Sequence, residues 1–279
     1  MLGVAAMLAA GRETPAADLH GLSAKLSMAE TYTLGEPIVA LFTIANAGQQ
    51  AVNLDLGINH KDNLVILIKA PPGPRSAACL IEESYQVFDR FGAIGDIALK
   101  PGESFSESLV LNDWHCFDLV GDYELRVQLP LPPALAQAKP ETLEASSRFR
   151  LNPFDRASLD AACRRLEETT ISRDHPPAGA PPTSDDAARS AGHALSFVGD
   201  GACVPALLGV LQAGMLGRGD ALQGLARIGT PSAIAAVVSV WGTLGRYDRE
   251  NALADFSGVN LGAQLRSALQ RAGKAITAP

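Results

Sequence analysis

Two periods of hydrophobicity divide the chain. From Gly21 to about Leu151 apolar and polar side chains alternate every second residue, the spacing of strands with one dry and one wet face. The clearest run sets Tyr123, Leu125, Val127 and Leu129 against Glu124, Arg126 and Gln128. Val52, Leu54 and Leu56 alternate with Asn53 and Asp55, and Phe149 and Leu151 with Arg148 and Arg150. Between Ile38 and Ile44 the even positions are all apolar, while Phe105, Leu109 and Leu111 follow a Pro101-Gly102 turn. Leu64–Ile68 is apolar on both faces, which predicts a central strand covered from two sides. Gly35-Glu36-Pro37, Asn46-Ala47-Gly48 and Pro71-Pro72-Gly73-Pro74 break the runs with turn residues. Several short strands without intervening helices point to a sandwich.

After Pro153 the period becomes helical. Leu159, Ala162, Cys163 and Leu166 share one helix face, and a Pro- and Gly-rich stretch from Asp174 to Pro182 reads as a linker. Beyond it the sequence echoes itself. A shift of 30 residues lays Leu195 on Leu225, Gly199 on Gly229, Val204 on Ile234, Leu207 on Val237 and Leu211 on Trp241. A shift of 31 then brings Leu222 to Leu253, Leu225 to Phe256, Ile234 to Leu265 and Val238 to Leu269. Each unit is predicted to be two short amphipathic helices joined by a turn, with Thr230 as an N-cap and Pro231 at the first helical position. One such pair cannot bury its apolar face alone, so neighbours must stack.

Several phrases resemble known families. Leu34-Gly35-Glu36-Pro37-Ile38, the run Thr43 to Gly48, and Leu99-Lys100-Pro101-Gly102-Glu103-Ser104 resemble bacterial immunoglobulin-like modules, wording shared by BsuPI-type proteinase-inhibitor and macroglobulin-like domains. Gly121-Asp122-Tyr123-Glu124-Leu125 resembles the immunoglobulin strand whose tyrosine hydroxyl ties down a corner, although the antibody-type Cys–Trp–Cys core is absent. The segment Gly224 to Pro231 resembles short HEAT-like repeats of the PBS-lyase kind, about three units over residues 184–273. Such repeats are mainly interaction surfaces, so the resemblance implies binding. The expected fold class is multidomain, all-β plus all-α: an immunoglobulin-like antiparallel β-sandwich followed by an α-α HEAT-like repeat array. The expected divisions are a possible signal remnant or disordered N-terminus at 1–20, the sandwich at 21–152, a helix and linker at 153–183, and the repeats at 184–279.

Charge narrows the partners. The net charge is −7, and the front half carries all of it: residues 1–152 hold 11 Lys+Arg against 18 Asp+Glu. Nucleic acid and anionic membrane are therefore not expected, since both need basic patches. Membrane insertion is not expected either, because no stretch reaches ~18–20 uninterrupted apolar residues. The opening MLGVAAMLAA resembles the apolar core of a secretory signal without its basic n-region, so a periplasmic or extracellular location is expected, and otherwise a cytoplasmic one.

Candidate chemistry is sparse. The sequence has no phosphate loop, HExxH zinc site, GxSxG elbow or EF-hand loop, and no catalytic residue, metal or cofactor is expected. Cys79 and Cys116 could form a disulfide if the protein is exported, and otherwise read as two buried thiols; Cys163 and Cys203, on apolar helix faces, read as thiols packed in the core. Asp113-Trp114-His115-Cys116 is the densest reactive group, and its ordinary reading is a strand-edge Trp beside a buried Cys. Asp89, Asp96, Glu82 and Glu83 read as a solvated loop, and Arg218-Gly219-Asp220 as a chance match to an adhesion tripeptide. The expected function is a non-enzymatic protein–protein interaction or scaffold role in an exported bacterial protein. The alternatives are a protease inhibitor or protease-interacting module built on the sandwich, and a hydrolase using Cys116 and His115. The candidate binding residues are Arg218, Arg227, Trp241, Arg246, Tyr247 and Arg249, arginine and aromatics being the usual hot-spot types. Trp241, equivalent to Leu211 in the echo, also reads as a core anchor.

Overall fold

The computed structural model describes residues 21–57, 63–76, 95–132, 141–176, 183–214, 216–256 and 261–276. The chain forms two compact units. The strand unit lies within Leu8–Leu34 and Val39–Pro153, and the helical unit combines Gly35–Ile38 with Phe154–Pro279.

The strand unit contains β1 (Leu22–Ser27), β2 (Thr31–Thr33), β3 (Val39–Asn46), β4 (Val52–Asp55), β5 (Val65–Lys69), β6 (Asp96–Leu99), β7 (Ser104–Val110), β8 (Gly121–Pro130) and β9 (Thr142–Asn152). They make three small sheets in the orders β1-β3-β7, β2-β9-β8-β5 and β4-β6. Alternation sets the faces where it is strongest. On β8 Tyr123, Leu125, Val127 and Leu129 are all buried, and they lie opposite Phe149, Ser147, Ala145 and Leu143 of β9. Tyr123 stacks on Phe149 at 5.1 Å between ring centroids, with Phe117 edge-on to both.

These sheets correct the expected fold class. The chain is mixed α/β, with small mixed sheets in its N-terminal half and helices in its C-terminal half, and not a clear immunoglobulin-like sandwich followed by a repeat array. The four-stranded sheet contains a parallel pair, β2 with β9, in which Thr31 lies opposite Arg150. That pairing joins positions some 120 residues apart through a strand of three residues, too short to show any alternation. A second correction concerns Leu64–Ile68. Among the described residues it forms an edge strand instead of a central one: β5 pairs there with β8 alone, and Val65 and Leu67 are 42% and 46% exposed.

The helical unit contains α1 (Arg156–Ile171), α2 (Asp185–Ser196), α3 (Val204–Ala213), α4 (Arg218–Ile228), α5 (Pro231–Val240), α6 (Arg246–Asp255) and α7 (Leu261–Arg271). Capping fixes several of their starts. Asp155 accepts a hydrogen bond from Ser158 N at 2.8 Å, Ser184 from Ala187 N at 3.3 Å and Thr230 from Ala233 N at 3.4 Å, with Pro231 opening α5. Gly229 ends α4 at φ +62°, a conformation that costs glycine little. The helices pack in two rows. In one, α2 contacts α4 and α4 contacts α6; in the other, α1, α3, α5 and α7 follow one another. Leu207, Leu211, Leu222, Leu225, Val237, Phe256, Leu265 and Leu269, all members of the thirty-residue echo, are buried.

Two features tie this unit further. Cys163 of α1 and Cys203 are joined in a disulfide across 40 residues, Cα to Cα 5.5 Å, so they are not the packed thiols expected. Helix periodicity accounts for their buried faces but says nothing about whether two such faces meet. Glu36 reaches Arg165 of α1 at 3.1 Å, which draws the short segment Gly35–Ile38 into the helical unit. Glu167 of α1 lies against α3, where a Cβ added to Gly209 would come 1.7 Å from its Oε1. Burial there, and then the neighbouring Glu168, push the Glu167 carboxyl above its ordinary pKa.

Candidate functional site

The six residues expected to bind do not form one surface. Trp241 is 1% exposed and its Nε1 donates to the Ala275 carbonyl at 2.8 Å, so it anchors the core as its equivalence to Leu211 implied. As a binding residue it is corrected by that burial. Arg249 spends its guanidinium internally, donating to the Trp241 and Gly242 carbonyls and lying over the Trp241 ring. Arg218 opens α4, is 18% exposed, and meets Asp248 of α6 at 3.7 Å. Arg227 lies near the other end of α4, nine residues or about 14 Å along the axis, and covers the Phe197 ring at 4.9 Å. Arg246 is exposed and bonded to Glu250 at 2.8 Å, and Tyr247 is 74% exposed. Only these last two project into solvent with their functional groups uncommitted to the core. The Arg218-Gly219-Asp220 tripeptide forms the first turn of a helix, with Asp220 held 3.2 Å from His193.

The reactive cluster of the strand unit is no catalytic pair. Leu111–Asp113 forms a 3-10 turn and Trp114 to Cys116 continue it as a loop, not as the strand edge expected. Cys116 is disulfide-bonded, which removes the thiol that a nucleophile needs. Cys79, the partner considered for it, lies outside the described residues, as do Glu82, Glu83, Asp89 and residues 1–20. His115 packs edge-on against Phe117 at 4.9 Å and Tyr123 at 6.2 Å. Asp96 lies on β6 opposite Asp55. Among the described residues no group of three or more His, Cys, Asp or Glu could hold a metal ion.

The loop is nevertheless firmly placed. Arg75 donates to the Cys116 carbonyl at 2.8 Å and pairs with Asp118 at 3.3 Å. Burial alone would push the Asp118 carboxyl up, but hydrogen bonds from Ser76 and Arg75 outweigh it and hold the pKa below its ordinary value. The Tyr123 hydroxyl donates to the Leu119 carbonyl at 2.8 Å, tying the corner just after the loop, and burial pushes its own pKa up.

That loop forms one wall of a cleft of about 480 Å³. The opposite wall is β5, represented by Ile66, Leu67, Ile68 and Lys69, and the loop contributes Trp114 and His115. Glu124 and Arg126 of β8 complete the lining, standing opposite Lys69 and Leu67 in the strand register. Arg126 is already paired with Glu124 at 3.5 Å and with Glu144 at 3.3 Å. Sequence reading missed the cleft because its walls come from three separated segments that only the β5–β8 register and the clamped loop bring together.

Comparison with known proteins adds little. No family model and no curated protein matches the chain. Among solved structures, a β-glucosidase from Listeria innocua in complex with glucose is 11% identical over 47% of this chain, with a TM-score of 0.25. The same enzyme with isofagomine is 12% identical over 47% of this chain, also with a TM-score of 0.25. These matches span 16% of the enzyme's own chain, and a likeness so slight bears on neither fold nor activity. No helix among the described residues is long and apolar enough to cross a membrane.

Proposed function

We propose that this chain is a non-enzymatic protein-binding or scaffold protein that works in an exported bacterial compartment. The observation that carries the reading is the edge of β5 left open among the described residues, where Val65 and Leu67 stand in solvent beside a cleft walled by Trp114. An exposed apolar strand edge is a template for pairing with another chain, and folded proteins normally cover or blunt it. The Cys163–Cys203 bond and the bonded state of Cys116 support export, since disulfides persist in oxidising compartments.

The test places a photo-reactive side chain at position 67 in the full chain, expressed in its native cell, with position 148 as the control. Arg148 is 83% exposed on β9 and is not one of the residues that line this cleft. A discrete protein adduct from position 67 and none from position 148 is the expected result. Absence of any adduct from position 67, with the protein folded and at its native level, would overturn the reading.

A further inference from the structure

We infer that the β5 edge receives an extended peptide segment as an added strand, with aliphatic side chains at alternate positions and a carboxylate beside Lys69. The inference rests on the protein-binding reading above and narrows it to one partner chemistry.

The backbone sets the first requirement. Val65–Lys69 pairs with β8 on one side, and among the described residues no strand pairs with its other side. In a strand paired on one side only, alternate residues point their N–H and C=O groups away from the neighbour. Those groups recur along an edge of roughly 17 Å, and an extended backbone is the ligand that repeats at the same spacing.

The side chains set the second. Leu67 is exposed on one face, while Ile66 and Ile68 are half-buried on the other, and all three line the cleft together with Trp114. The strand is apolar on both faces and fully buried on neither. An added strand supplies side chains to both faces at once, which a helix lying in the cleft would not.

Charge sets the third. Lys69 makes no ion pair among the described residues, whereas the neighbouring Arg126 is already held by Glu124 and Glu144. A second copy paired through its own β5 would bring another Lys69 and no carboxylate from that strand, so a separate segment carrying an acidic residue fits better.

Fluorescence anisotropy of the full chain with four labelled heptapeptides tests this. One alternates valine and threonine and ends in aspartate; the second ends in lysine instead; the other two are the aspartate peptide N-methylated at alternate backbone nitrogens, one in each register. The aspartate peptide should bind, the lysine peptide roughly threefold more weakly, and one N-methylated register not at all. Lys69→Glu should reverse the preference between the first two, and amide exchange at residues 65–69 should slow when the aspartate peptide is added. Equal binding of all N-methylated peptides would overturn strand addition. So would β5 amides already protected in the free protein, including protection that appears with a concentration-dependent dimer. If no peptide binds while the position-67 adduct persists, the strand-addition inference fails and the protein-binding reading stands. If the peptides bind and no adduct forms, the groove stands and the functional reading fails.

Discussion

The apolar runs of α5 and β5 are alike in composition and opposite in fate. Pro231–Val240 buries Ala233, Ile234, Ala236, Val237 and Val240, whereas on Val65–Lys69 two aliphatic side chains stand in water and no residue is fully buried. A helix closes its own backbone hydrogen bonds, so α5 needs only cover for its apolar face, and the adjacent α3, α4 and α7 supply it. A strand has two edges and two faces to satisfy, and β8 answers for one edge. Apolar content therefore states a need for burial without saying that the chain itself meets it.

The comparison would break if both runs tolerated a charge equally. Val237→Asp is expected to unfold the helical unit at a cost above about 4 kcal/mol, because the carboxylate would be sealed among aliphatic side chains. Leu67→Asp should cost within about 0.5 kcal/mol, the range of ordinary surface changes. Urea unfolding measures both, and the two tryptophans report separately: Trp114 in the strand unit, Trp241 in the helical unit.

A second prediction sharpens it by asking what else closes the helical unit. Cys163→Ser with Cys203→Ser removes a link across 40 residues. In chain-entropy terms this should lower stability by about 3–4 kcal/mol. The loss should show in the Trp241 transition and leave the Trp114 transition in place.

The smallest effect concerns Glu167. Its carboxyl pKa is raised in the folded state by burial and by Glu168, so the folded protein holds that proton more tightly than the unfolded chain. The sign follows: stability is highest below the ordinary glutamate pKa and falls as pH rises from there through the raised folded value. Glu167→Gln should flatten this slope in midpoints measured against pH, by no more than about 0.5 kcal/mol, since solvent screens a half-exposed group.

How much was legible differs between the two units. The Leu211–Trp241 equivalence foretold a buried tryptophan, Thr230-Pro231 foretold the start of α5, and the alternation on β8 foretold its dry face. All three are local, or repeat at a fixed distance. The parallel pairing of Thr31–Thr33 with the end of β9, the edge position of β5 and the Cys163–Cys203 bond depend on distant segments meeting, and no period encodes that. The candidate site suffered for a similar reason. Arginine is a surface hot-spot type, yet Arg249 is consumed by the Trp241 and Gly242 carbonyls, acceptors that composition cannot reveal.

The helical unit also contains Gly35–Ile38, anchored through Glu36 and Arg165. It is therefore not a cassette: a gene cut between Pro153 and Phe154 yields a downstream product that lacks one of its own pieces. A single proteolytic nick at that joint would likewise fail to liberate it intact, and recombination that shuffles whole exchangeable blocks could not have carried it off in one stretch.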